Sequence, residues 1–143
     1  EQVMTMNAMQ KDPVEVIRDH TKGRGVDIAF EAVGHPAFPD ETIHPVRACI
    51  QAIKGGGRVC VLGLADDPAP VVFKELIWKE GTIISSRVSH GDYPGVLEML
   101  RDKRLQPDAL ISKVLPLESI QEAFELIEQS PEKYLKVMLE VSA

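Results

Sequence analysis

The residues of this chain best suited to chemistry are four histidines, two cysteines and a pair of carboxylates on one strand, and their spacing joins none of them into a catalytic set. His20, His35, His44 and His90 match neither the HExxH zinc pattern nor the ordering of a Ser/His/Asp triad. His35 is the most informative of the four, because it follows Gly34 where an apolar strand pattern ends. A lone histidine there reads first as a solvated or capping loop residue. Asp27 and Glu31, within GVDIAFEAVG, resemble an acid/base pair only superficially, since carboxylates near strand ends more often cap neighbouring amides or meet solvent. Cys49 and Cys60 lack CxxC spacing and read as reduced core residues. The run Gly55, Gly56, Gly57 leads from a helix pattern into a strand, whereas a phosphate cradle leads from a strand into a helix. It reads as a helix C-cap and a tight turn.

With side-chain chemistry this sparse, the backbone becomes the candidate surface. In open parallel sheets, ligands occupy the crevice beyond the carboxyl ends of the strands, where loop amides converge. Three such ends are predicted, at 32–35, 62–65 and 85–89. Gly34 and Gly63 lie at two of them, and a missing side chain lets a flat ring or a phosphate approach the main chain. Each glycine is equally suited to making the turn from strand to loop.

The elements that must position these ends are legible from periodicity. Residues 3–8 could form a short strand. Lys11 to Thr21 reads as a helix with Asp12 as N-cap, Pro13 at the first position and Glu15 in capping-box register, stopped by Gly23 and Gly25. Val26 to Val33 follows as a strand whose IAF interior is apolar on both faces, which predicts cover on both sides. Pro39, Asp40 and Glu41 suit a helix's first turn, and Ile43, Val46, Ile50 and Ile53 continue it at helical spacing, interrupted by Arg47. Arg58 to Leu64 is a second strand, residues 65–71 a loop, Phe73 to Trp78 one or two helical turns, and Thr82 to Val88 a third strand. A helix opens at Gly91, Asp92 and Pro94, and the tail reads as strand, helix and strand through ISKVL, Ile120 to Ile127 and YLKVMLEV.

Composition bounds the class. A chain of 143 residues with 44% hydrophobic and 27% charged residues can bury a real core as one ordinary globular body. A net charge of −6 without a basic stripe argues against nucleic acid, and no apolar run approaches the ~20 residues of a membrane helix. A cytoplasmic protein that binds small molecules or copies of itself is expected.

Three segments, TKGRGVDIAFEAVG, KGGGRVCVLGL and PDALISKVLPLESIQEAFELIEQSPEKYLKVMLEV, together resemble the medium-chain dehydrogenase/reductases, and more closely the zinc-type alcohol and polyol dehydrogenases. The resemblance covers nearly the whole chain. It implies an α/β fold: a partial Rossmann-like parallel sheet flanked by helices over residues 1–109, then a strand, helix and strand over 110–143 that return to the catalytic domain. The implied activity is hydride transfer between an alcohol and NAD or NADP, with the alcohol oxygen on a catalytic zinc.

By position, the resemblance places Ala32, Val33 and Gly34 beside the adenosine part of the cofactor and Leu62, Gly63 and Leu64 beside the nicotinamide. Ser85, Ser86 and Arg87 would offer groups to the carboxamide, although many relatives carry glycine where Ser85 stands, and Lys136 would face the pyrophosphate. The chain starts near the family's third Rossmann strand, so it contains neither the GxGxxG loop nor the zinc ligands. Alone it is expected to be inactive. The family's strand order also predicts a bare edge on the strand at 26–33, and a homo-oligomer formed through that edge or through the strand at 82–88. Two other readings remain open from the residues: a zinc-independent quinone or enoyl reductase, and a non-catalytic oligomerisation or binding module.

Overall fold

The computed structural model describes residues 3–34, 43–66, 68–86 and 89–141. They form two compact units, one reaching Ser89 and one starting at His90. In the first unit, α1 (Pro13–His20) opens as expected, with the Asp12 carboxylate accepting from the Val14 amide at 2.7 Å. The helix closes through Thr21, whose hydroxyl donates to the Ile17 carbonyl at 2.7 Å and accepts from the Gly25 amide at 2.9 Å. Gly25 then enters β1 (Val26–Glu31) with a φ of +85°, and an added Cβ would meet the Ala52 carbonyl oxygen at 2.6 Å. Only glycine satisfies both demands.

The expected strand at 3–8 is not formed. Asn7 instead builds a turn there, its side-chain oxygen accepting from the Met9 amide at 2.9 Å and its carbonyl from the Gln10 amide at 3.0 Å. Strand β1 also ends two residues earlier than the apolar pattern suggests, because the Glu31 side chain turns back onto the amides that would have continued the ladder.

Pro39, Asp40 and Glu41, assigned to a helix start, lie outside the described residues. Helix α2 (Pro45–Ala52) is capped by His44, whose Nδ1 accepts from the Val46 amide at 3.3 Å. It stops at Ala52, before the three glycines, so their expected role as its C-cap is corrected. The terminal carbonyls are met by the Lys79 ammonium, which donates to Ile50, Gln51 and Ile53 at 3.0, 2.6 and 2.6 Å. Lysine suits this place because the carbonyl end of a helix is the negative end of its dipole. The glycines fall inside β2 (Ile53–Val61), where the pairing jumps from Val26 opposite Ile53 to Ile28 opposite Arg58. Gly56, at φ +69°, carries the excess residues outward as a bulge.

After α3 (Phe73–Ile77), β3 (Thr82–Ser85) completes a three-stranded parallel sheet in the order β1-β2-β3. Ile50, Ile53 and Val59 are the most deeply buried side chains, with Ala29, Val61 and Leu76 packed around them. On the same side, Arg47 reaches across to Glu75 of α3, with Nη2 to Oε1 at 2.9 Å and Nε to Oε2 at 3.3 Å. This pair explains the charge that interrupts the apolar stripe of α2, and it holds the Glu75 carboxyl below the usual range. The alternate positions Ile28, Phe30 and Ile84 are 47%, 64% and 48% exposed. The apolar IAF run therefore marks one core position, Ala29, between two that stay largely uncovered.

The second unit begins with α4 (Tyr93–Arg101), preceded by Asp92 and carrying Pro94 in its first turn. Then come β4 (Ile111–Pro116), α5 (Ile120–Gln129) and β5 (Lys136–Glu140), with the two strands parallel. Leu115 and Ala123 are its buried residues, while Ile120, Phe124 and Ile127, which share the helical spacing of Ala123, are 45%, 61% and 40% exposed. The Ser112 hydroxyl accepts from the Leu135 amide at 2.9 Å and fastens the entrance of β5 to β4. Lys113 donates to Glu122 at 2.9 Å and ties α5 to the same strand.

Candidate functional site

The carboxyl ends of β1 and β2 are drawn together by Glu31. Its side chain is 3% exposed, and one carboxylate oxygen accepts from the Val33 amide at 2.8 Å and the Gly34 amide at 2.9 Å. Its own carbonyl accepts from the amides of Leu62 at 2.7 Å and Gly63 at 3.1 Å, so one residue orders the loops after both strands. The Ser86 amide donates to the Val61 carbonyl at 2.9 Å and brings in the third. The sequence contains this signal in the FEAVG run, as an acid followed by amides at i+2 and i+3, although the approach of Leu62 and Gly63 lies thirty residues away.

Gly34 and Gly63 meet each other. A Cβ on Gly63 would contact the Gly34 main chain and come within 2.7 Å of the Glu31 Oε2, and a Cβ on Gly34, at φ +61°, would contact the main chain of Leu64 and Gly63. The absent side chains thus admit the neighbouring loop, a reason for glycine that single-strand reasoning does not see. Around this junction Val33, Leu62 and Leu64 are 58%, 44% and 75% exposed, forming an apolar rim at the strand ends. Ala32 and Ser85 flank it, Ser86 is tied to it by its amide, and Arg87 and His35 lie outside the described residues. Lys136 opens β5 in the second unit, on the exposed side of its alternation.

Asp27 pairs with Lys54 and, at 3.7 Å, with Arg24, at the opposite end of β1 from the crevice. It therefore forms no acid/base couple with Glu31. Both cysteines are free. Cys49 lines a cleft of ≈ 750 Å³ beside β1, together with Val14, Ile17, Phe30 and Val33. Burial first, and the Glu31 charge second, push its thiol up to about 11 from 9.0. A rise of two units leaves roughly a hundredth of the thiolate of an ordinary cysteine near neutral pH, so iodoacetamide is expected to label Cys49 roughly 100-fold more slowly than a model thiol at pH 8. Labelling at the model rate, read by peptide mass spectrometry, would contradict this environment.

An apolar rim beside ordered strand-end amides is a surface on which a flat heterocycle can lie. A metal finds no comparable fit, because no group of three His, Cys, Asp or Glu among the described residues is arranged to hold one. No helix among them is long and apolar enough to cross a membrane.

The family model described as "Zinc-binding dehydrogenase" matches residues 3–102. The chain belongs to that family. Among curated relatives, L-threonine 3-dehydrogenase of Symbiobacterium thermophilum is 30% identical over 131 residues, spanning 85% of this chain and 34% of that protein. Sorbitol dehydrogenase of Bacillus subtilis is 27% identical over 135 residues, 94% of this chain and 36% of its own length. Among solved structures, alcohol dehydrogenase TADH from Thermus sp. ATN1 superposes with a TM-score of 0.83 at 30% identity, covering 96% of this chain and 38% of that one. The chain thus spans about a third of the length of the relatives it matches, and the helix-flanked parallel sheet is the one the resemblance implied.

Proposed function

We propose that the chain supplies the trailing part of the cofactor-binding domain, and the strand, helix and strand that follow it, to an NAD(P)-dependent alcohol or polyol dehydrogenase. The proposed boundary between these parts lies at residues 109 and 110, as the resemblance implies, whereas the two compact units divide between Ser89 and His90. The observation that carries this reading is the single edge formed by three parallel strand ends, the first two tied together by Glu31 and the third by the Ser86 amide, beside exposed Val33, Leu62 and Leu64. Ala32, Val33 and Gly34 would flank the adenosine. Leu62, Gly63 and Leu64 would lie along the nicotinamide, Ser85, Ser86 and Arg87 would meet its carboxamide, and Lys136 would neutralise the pyrophosphate. A bound nicotinamide supplies the hydride acceptor. This chain's contribution is to hold that ring on an apolar surface and to exclude water from one side of it. The role proposed for this chain is therefore to bind and orient the cofactor.

The test is nicotinamide reduction, followed by absorbance in the polypeptide that carries this chain, with secondary alcohols and polyols as substrates. Leu62→Asp places a carboxylate on the rim at an exposed position, so folding is expected to be preserved while the KM for the cofactor rises roughly 10-fold or more, with less change in kcat. An unchanged KM, or turnover that needs no nicotinamide, would overturn the reading.

A homo-oligomer through a sheet edge belongs to the same proposal, because β1 and β3 are the outer strands and all four residues of β3 are exposed. Light scattering is expected to give twice the chain mass, and a monomer at high concentration would refute it. Two free thiols suit a reducing, cytoplasmic setting.

A further inference from the structure

At the end of the sheet where β1 begins, roughly 16 Å along the strand from the Glu31 junction, the first unit has a second concavity. It is a hollow of ≈ 320 Å³ bordered by Arg18, Arg24, Lys54 and Lys79, with Gly25 and Gly55 among the other residues that line it. Among the described residues, no acidic side chain lines it. We propose that this hollow binds a phosphate-class oxyanion, either inorganic phosphate or the terminal phosphate of a small metabolite.

The charge balance points this way. Among the described residues, the carboxylate paired with these four cations is Asp27, which bridges Lys54 and Arg24. Glu75, whose charge also acts on Lys79, is engaged by Arg47 at 2.9 Å. Four positive groups against one negative leave a local excess of +3, in a chain whose net charge is −6. Arg18 makes no ion pair among the described residues, so its guanidinium is available to an incoming anion. Lys79 is a fixed charge, since all three ammonium protons are committed to the carbonyls of Ile50, Gln51 and Ile53. It therefore attracts an anion without being able to swing toward it. Burial and the nearby Arg18 charge both hold the Lys79 pKa below the ordinary lysine value, against an opposing contribution from Glu75.

The shape fits the same ligand class. An added Cβ at Gly23 or Gly55 would meet nothing within 4 Å, so main chain and open space form part of the wall. The volume corresponds to about ten waters at ≈ 30 Å³ each, enough for one phosphate group with part of its hydration shell and too little for a dinucleotide. Arginine adds a planar fork of donors suited to two phosphate oxygens. The site is thus separate from the crevice at the other end of the strands, and it does not depend on the dehydrogenase reading.

The test is titration of the isotopically labelled chain with sodium phosphate, and in a second arm with glycerol phosphate, against sodium chloride at matched ionic strength. Saturable amide shifts at Gly23, Gly25 and Gly55 are expected in both phosphate arms and not with chloride. Tighter binding of the ester assigns the site to a metabolite's phosphate, and equal or weaker binding assigns it to the free ion. Arg18→Gln combined with Lys54→Gln is expected to weaken binding at least 10-fold, whereas Arg18→Lys retains most of it. Should the double variant not fold, exposed Arg18→Gln alone reports the loss. Shifts equal to those with chloride, a response that never saturates, or unchanged binding in Arg18→Gln would overturn the proposal.

Discussion

Gly63→Ala is expected to destabilise the first unit by about 3 kcal/mol, as overpacking does where no neighbour can yield. The added methyl would point into the main chain of Gly34, with its Cα at 2.6 Å, and toward the Glu31 Oε2 at 2.7 Å. Neither can retreat. Gly34 holds a φ of +61° and already faces the main chain of Leu64 and Gly63, and the Glu31 carboxylate is buried and engaged by two amides. Relief would require the loops after β1 and β2 to part, which removes the rim on which the cofactor is proposed to lie. Gly55→Ala is the control, since its methyl meets open space and its φ is not in the left-handed region. Its effect should stay within ~0.5 kcal/mol. Urea denaturation of both variants decides the matter: equal midpoints would show that the Gly34 and Gly63 loops are not in contact.

Glu31→Ala should have a comparable effect by another route. Removing the side chain leaves two part-buried amide donors, those of Val33 and Gly34, without the charged acceptor that now serves both. Hydrogen bonds to a charged partner contribute about 1.5–3 kcal/mol each, and water can replace part of that at half-open donors, so a loss of about 3 kcal/mol is expected. Glu31→Gln keeps the shape and one acceptor oxygen but gives up the charge, and should cost about half as much. Hydrogen exchange separates this from general destabilisation: the Val33 and Gly34 amides should lose protection in both variants while the Val59 amide changes only with global stability. Unchanged protection at Val33 and Gly34 would mean that Glu31 does not hold the junction.

What could be read without coordinates follows the range of the interactions involved. The Asp12 and Pro13 helix start and the buried strand centred on Val59 depend on residues within a few positions of each other, and both appear where periodicity and capping chemistry put them. The family was legible for a related reason, because GVDIAFEAVG and GGGRVCVLGL each keep a strand and its loop in one continuous run. Residues 3–8 went the other way, since the Asn7 side chain offers a turn that competes with a strand having no neighbour to pair with.

The pattern of residues along the chain thus settled most element types and the family, which arise from local periodicity and short motifs. The three-dimensional packing decided why Gly34 and Gly63 must be glycine, why Lys79 rather than Gly55 closes α2, and which cations gather around the hollow at the start of β1. Each of these joins groups some twenty-five or more residues apart. Hydrogen bonding and steric exclusion act over a few ångströms of space, so their partners are chosen only when the chain returns on itself.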